Sequence, residues 1–379
     1  MKKGWKTVPL GELCDVLDHK RKPITKRDRE AGEYPYYGAT GVLDYVAGYL
    51  FDEPLVLVGE DGAKWASGEN TAFAVEGKIW VNNHAHVLRP HRTVVLDNWL
   101  IYHLNHSDLI EFVSGLTVPK LNQGCLREIP VPVPALAEQQ RIVGLLDEAF
   151  EGLATAKANA EKNLQNARAL FESHLQSVFT QRGPGWVEKR LEEIGKTQTG
   201  STPKTADQSN YGDFISFVKP ADFNPDGSLD YEKDCLSKTG LANARVVPAG
   251  SVLMVCIGAT IGKCGYCDQD VTTNQQINAL TPADGSSHRF LYYQMLTESF
   301  QRSVIHRSGQ ATLPIINKSK WSALSVWLPP TVTEQKRIAA KFDALVVETQ
   351  RLAGLYERKL AALEALKKSL LHQAFTGAL

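Results

Sequence analysis

Two stretches of this chain can be laid over each other without a gap. The first opens EQQRIVGLLDEAF at Glu138 and runs to about Thr180; the second opens EQKRIAAKFDALV at Glu334 and runs to Thr376. At one constant offset Glu138 meets Glu334, Gln139 meets Gln335, Arg141 meets Arg337, Ile142 meets Ile338 and Asp147 meets Asp343. Further along, Leu164/Leu360, Leu170/Leu366, Ser173/Ser369, Leu175/Leu371 and Phe179/Phe375 also coincide. An ungapped match over that length says that spacing matters more than side-chain identity. A helix that sets a distance behaves in this way.

The apolar pattern supports a helix. In the second copy Ile338, Phe342, Leu345, Thr349, Leu352 and Tyr356 alternate at steps of four and three, Lys359 interrupts once, and Leu363, Leu366 and Leu370 follow. That is heptad spacing, suited to helices packed side by side. The first copy has Leu146, Ala149, Leu153, Ala156, Ala160, Ala167 and Leu170 at the matching places. It is small where the second is bulky, so the two can pair closely. At ~1.5 Å per residue each rod extends roughly 60 Å. The plainer reading is an ordinary helical hairpin in a large core, which does not account for the duplication.

Between and before the rods lie two segments that repeat one order of elements. The first unit opens with Trp5, Leu10 and Leu13, followed by a basic run, DHKRKPITKRDRE. Then come YPYYGATGV, a buried strand PLVLVGEDGA, a polar-apolar alternation WVNNHAHVL read as one strand, a helix over 94–113, and GLTVPKLNQGCL. The second unit repeats the spacing with Trp186, Leu191 and Ile194. GSTPKT replaces the basic run, FVKPADF the Tyr-Gly segment, GSVLMVCIGATIGKCGY the buried strand and TTNQQINAL the alternation. A helix around 289–303 and GQATLPIINKSKW complete it. Thr331 and Glu334 form a capping box at the second rod, where the first has Ala135. The order unit, rod, unit, rod implies pseudo-twofold symmetry within one chain, a device suited to reading two unlike half-sites on a duplex.

Composition narrows the class. Lys plus Arg and Asp plus Glu each total 42 in 379 residues, which argues against a nonspecific DNA coat but leaves room for a local basic patch. No apolar run reaches the ~20 residues of a membrane helix, and MKKGWKTVPLGEL lacks the apolar core of a signal peptide. A soluble cytoplasmic protein is expected. Six cysteines in such a chain do not make a disulfide framework.

Catalytic signatures are missing: no Walker loop, G-x-S-x-G, HExxH or F-x-G-x-G is present, and FNPDG (Phe223 to Gly227) reads as a turn. His84 and His86 share a strand face but lack further ligands, and the lone C-x-x-C of Cys264 and Cys267 reads as packing, so no metal is assigned. The chain is expected to choose a site for another protein's chemistry.

IPVPVPALAEQQRIVGLLD and LPPTVTEQKRIAAKFD, with YYGATGVLDYV, PLVLVGEDGA, GSTPKT and LLHQAFTG, closely resemble the specificity subunits (HsdS) of type I restriction-modification systems over essentially the whole chain. The resemblance implies an α+β fold: two α/β target recognition domains alternating with two long helices paired as an antiparallel coiled coil. The boundaries are a recognition domain at 1–134, a central spacer helix at 135–182, a second recognition domain at 183–330 and a C-terminal spacer helix at 331–379. It further implies a non-catalytic subunit that binds double-stranded DNA and two methyltransferase subunits, with restriction subunits able to join. No cofactor is expected in this chain; S-adenosylmethionine would belong to the methylase partner, ATP and Mg to the restriction partner. In that family the cysteine positions of VCIGATIGKCGY are usually apolar, which supports packing.

Loops carrying Lys, Arg, Asn, Gln and Ser/Thr beside Gly are the candidates for phosphates and base edges. In the first unit these are Lys20, Arg21, Lys22, Tyr36, Tyr37, Lys64 and Lys120; in the second, Ser201, Thr202, Lys204, Lys219, Arg307 and Gln310. Arg141 and Arg337 are candidates for docking the methylase, or for contacts at the start of each rod. Two rival classes remain: a stand-alone DNA-modifying enzyme, and a coiled-coil scaffold without DNA specificity.

Overall fold

The computed structural model describes residues 4–115, 117–283, 285–309 and 313–379. The chain divides into two compact units, Met1–Glu161 with Glu357–Leu379, and Lys162–Tyr356. The two rods are the continuous helices Leu136–Gln181 and Val332–Thr376, each contributing one part to each unit. No helix among the described residues is long and apolar enough to cross a membrane.

In the first unit one four-stranded sheet has the order Cys14–Val16, Ala85–Pro90, Leu55–Gly59, Ala72–Val75, all antiparallel. A second has the order Gly41–Val46, Ala31–Gly38, Lys78–Val81, Phe51–Asp52, with a parallel pair at Tyr36↔Trp80. Leu55–Gly59 reads as an unbroken apolar run because both of its faces are covered. Val56 and Val58 pack with Leu10, Leu13 and Trp99, while Leu55 and Leu57 pack with Phe51, Ile79 and Val81. Burying each such side chain contributes about 1.5–3 kcal/mol relative to exposure. The same unit holds the start of the first rod (Ile142, Leu146) against the end of the second (Leu371, Phe375), and Lys157 reaches Glu364 at 2.9 Å, so the two segments run antiparallel.

The second unit repeats this plan. Gly195–Thr199, Ile277–Pro282, Ser251–Val255 and Cys264–Cys267 form one sheet; Cys235–Leu236, Tyr211–Val218, Val271–Thr273 and Val246–Val247 form the other. Val252 and Met254 face one core and Leu253 and Val255 the other. Cys264 and Cys267, three apart on one strand, therefore sit in different cores, which prevents them from sharing a ligand. Burial pushes the Cys256 thiol up to about 12 and Cys267 to about 11.

The residues shared by the two rods fix each rod to its unit. Gln139 is fully buried; its Oε1 accepts from Leu96 N at 3.0 Å, just ahead of the helix Asp97–His106. Gln335 does the same for Ser287 N at 2.9 Å, the cap of the helix His288–Met295. Asp147 accepts from the Tyr102 hydroxyl and Asp343 from Tyr293 at 2.5 Å. Phe375 packs edge-on to Trp99 at 4.8 Å, and Phe179 tilts against Phe290 at 5.3 Å.

Three expectations are corrected. WVNNHAHVL is two strands in different sheets, because Asn82 Oδ1 accepts from His84 N at 2.8 Å and turns the chain; Asn274 does this for Gln276 N at 3.1 Å. The helix expected over 94–113 spans only Asp97–His106, and the one around 289–303 is divided by a new cap at Thr297. Finally, Leu170 and Leu366, placed in the rod seam, are each 48% exposed. A straight helix drifts about 20° per heptad, so a 4-3 pattern extrapolated along it leaves the contact face.

Candidate nucleic-acid interface

In the first unit the end of the buried strand Leu55–Gly59 delivers Glu60 and Asp61 beside the basic run. Glu60 is 6% exposed, and Arg21 and Lys120 both bind its carboxylate, Lys120 at 2.8 Å. Arg21 also reaches Asp18 at 3.3 Å and donates to Ala85 O at 2.8 Å. His86, fully buried, joins Asp18 at 2.6 Å through Nδ1 and donates from Nε2 to Leu121 O at 2.7 Å. Burial alone would raise the Glu60 carboxyl, but the Lys120 and Arg21 hydrogen bonds outweigh it and hold it low. Asp18 follows the same logic: burial raises it, and His86, Val87 N and Arg21 more than compensate.

Asp18, Glu60 and His86 can bring one ligand atom each within 4.8 Å of one another. A divalent ion there would meet a guanidinium and an ammonium at close range, and both nitrogens of the imidazole are already engaged. The cluster is an ion network.

This geometry removes Arg21 from the candidate DNA contacts, since its side chain is 13% exposed and its donors are taken. Lys120 is held by Glu60 and Asp61. Tyr36 is also removed: it is 1% exposed, Arg29 lies 4.4 Å over its ring, and Ile24 N donates to its hydroxyl at 3.0 Å. Tyr37 is half-buried against Phe73. Lys20 and Lys22 stay exposed with no ion pair among the described residues, and Lys64 is exposed with only a 3.8 Å approach to Glu69.

The equivalent point of the second unit follows from its backbone. Glu60 N donates to His84 O and Cys256 N to Gln276 O; Leu121 N donates to Glu60 O and Ile316 N to Cys256 O. The bridge Asp61↔Lys120 becomes Ile257↔Ile315. The side-chain pair Asp18–His86 becomes Thr199 Oγ1 donating to Asn278 Oδ1 at 2.7 Å. Above it, Ser201 N binds Thr273 O, its hydroxyl is buried without a partner, and Thr202 Oγ1 bonds Gln275 Oε1. Lys204 is exposed. Lys219 is paired with Asp234 at 2.8 Å, and Arg307, exposed, donates to Ala323 O at 3.3 Å. Gln310 lies outside the described residues. On the rods, Arg141 and Arg337 each fork onto the glutamate one turn back, at 2.7 and 2.5 Å.

The sequence profile of the type I restriction modification DNA specificity domain matches residues 2–164 and, a second time, 184–357. The chain belongs to that family. A Haemophilus influenzae protein named as a type I restriction enzyme specificity subunit is 39% identical across 38% of this chain and 36% of its own length. The HindI specificity subunit of the same organism is 27% identical across 60% and 53%, so these two matches cover about a third to a half of those relatives. The Escherichia coli EcoDI specificity subunit is 22% identical across 99% of this chain and 88% of that one. Two solved structures share the fold: a chain from the assembly and conformational transition of the type I R-M system (TM-score 0.72, 21% identity, 100% and 99% covered) and the HsdS subunit from Thermoanaerobacter tengcongensis (0.63, 20%, 100% and 98%).

Sequence reasoning about this specificity-family chain missed the role of Glu60, Asp18 and His86. One signal was available: an Asp-Glu pair closing a wholly apolar strand demands cations, and the nearest basic run supplies Arg21.

Proposed function

We propose that this chain chooses the DNA sequence on which a type I restriction-modification complex acts. Each unit reads one half of a split target, and the two halves differ because the units differ. The rods fix the unread spacer and dock two methyltransferase subunits; restriction subunits can join. S-adenosylmethionine would be bound by the methylase partner, and ATP with Mg by the restriction partner, all in the cytoplasm.

The observation that carries this reading is the repetition of one joint. Gln139 with Leu96 and Gln335 with Ser287 attach a rod to a recognition unit in the same way twice, while the loop surfaces between are free to diverge. The test is methylome sequencing of cells carrying this chain and its methylase, against a deletion of this chain. A split motif with modified adenine in both halves, lost on deletion, is the expected result. Unchanged methylation with the complex assembled would overturn it.

A further inference from the structure

The second unit carries an open groove of about 610 Å3 along the edge strand Gly195–Thr199. Lys196, Arg245 and Lys318 line it with the polar side chains of Thr197, Gln198 and Thr199, and none of its lining residues is acidic. All three cations are exposed. Among the described residues Lys196 and Lys318 have no ion pair, and Arg245 makes one side-chain hydrogen bond, from Nη1 to Thr199 O at 2.8 Å. Three positive charges on one concave edge with no counter-ion among the described residues raise the local potential for a polyanion.

The first unit places its charge differently at this corner. The register of its strands puts Asp15 where Lys196 stands, and the matching helix caps Asn122 and Asn317 put Gln123 where Lys318 stands. Asp15 is tied to His91 at 3.2 Å and Gln123 to Asp18 at 3.1 Å. Exposed cations with no ion pair among the described residues stand instead on the loop that leaves the same strand, Lys20, Lys22 and Lys26. The second unit has only Lys204 on its corresponding loop. Free positive charge therefore lies at one corner of both units, on the loop in the first and in the groove at its base in the second.

We propose that this groove seats the phosphate backbone of duplex DNA, and that Lys196, Arg245 and Lys318 are the second unit's main phosphate contacts. The inference rests on the DNA-specificity reading above. Its sequence signal is weak, because the three residues are far apart in the chain.

The test is the affinity of the full chain with its methyltransferase subunit for a pool of random-sequence duplexes, measured against salt. A Lys196→Gln/Arg245→Gln/Lys318→Gln variant neutralises three fewer phosphates, so its slope of log K against log salt should be shallower by about 2.7. Between about 50 and 200 mM salt it should therefore lose about 40-fold less affinity than the wild type does. Lys318→Glu alone, on an exposed helical turn, serves if the triple variant folds poorly by circular dichroism. Wild-type affinity and slope in folded variants would overturn the groove while leaving the specificity reading intact. A wild-type complex that binds no duplex would overturn both.

Discussion

Where the buried strand Leu55–Gly59 ends, the first unit sets Glu60 between Arg21 and Lys120, with Asp18 and His86 alongside. Where Ser251–Val255 ends, the second sets Cys256, with Thr199 bonded to Asn278 and Ile257 bridged to Ile315. The main-chain hydrogen bonds of the two places are the same, and the side-chain chemistry is opposite. In the first set the carboxylates come with their cations; in the second no charge is buried, Asn278 Oδ1 takes the Thr199 hydroxyl, and Asn278 Nδ2 is buried without a partner among the described residues. A buried charge is tolerated only when paired, so these positions change together or not at all. The histidines show the same exchange. His84, His86 and His103 of the first unit correspond to Gln276, Asn278 and Gln294 of the second, and Asn278 keeps the bond to the neighbouring strand by accepting from Thr199 Oγ1.

The sharpest way to break this comparison is to remove one charge. Glu60→Ala removes the carboxylate shared by Arg21 and Lys120; because Arg21 keeps Asp18 and Lys120 is partly in water, the loss should lie near the lower end of the about 3–5 kcal/mol that breaking a buried pair costs. Cys256→Ala removes only a packed sulfur and should cost about 1 kcal/mol. Urea unfolding followed by hydrogen exchange on peptides from each unit reads both, and equal losses would end the contrast.

Acid should separate the units next. Burial, opposed by a bond to Pro130 O, pushes His103 down to about 4 from a usual 6.5. A histidine depressed on folding is neutral in the native state and protonated first in the unfolded one. The His103 contribution to stability is thus fully present above about pH 6.5 and is lost as pH drops toward 4, about 3 kcal/mol in all. His106, lowered by burial and by His372, acts in the same direction. Gln294 has no such dependence. His103→Gln should flatten the melting temperature of the first unit between pH 7 and pH 5, and an unchanged acid response would assign that response elsewhere.

The parts visible in the sequence are those set by local periodicity. Heptads and an ungapped offset gave both rods, and Gln139/Gln335 and Asp147/Asp343 stood out as shared letters. Their purpose was hidden because their partners Leu96, Ser287, Tyr102 and Tyr293 are distant in the chain. Arg21 and Tyr36 looked free for the same reason: a sequence shows a cation but not the carboxylate folded onto it from Glu60. Recognition surfaces depend on such pairings, so exposure of Lys20, Lys22 and Lys64 could be known only from the fold.

The joints give a smaller contrast. Gln139 makes three hydrogen bonds, to Leu96 N, Val94 O and Pro134 O, whereas among the described residues Gln335 makes the one to Ser287 N. Unmet buried backbone groups cost about 1–3 kcal/mol each, so Gln139→Ala should lower stability more than Gln335→Ala in the same urea experiment. A larger effect at Gln335 would mean that the two joints are not equivalent.

The smallest effect on stability is expected at Arg141 and Arg337. Both forks close on a glutamate three residues back in water, where screening leaves such pairs little net strength, so neither alanine variant should move the melting curve. Arg141 has one further bond, from Nη2 to Leu379 O at 2.9 Å, whereas the Arg337 fork is spent on Glu334 alone among the described residues. If the rods' outer faces dock the methyltransferase, the double variant should lose co-purification with that subunit while melting as the wild type does. Arg337→Ala should then account for more of the loss than Arg141→Ala, because the Arg337 guanidinium has fewer bonds within its own chain. A double variant that melts normally and retains its full share of methyltransferase would restrict both arginines to the helix starts.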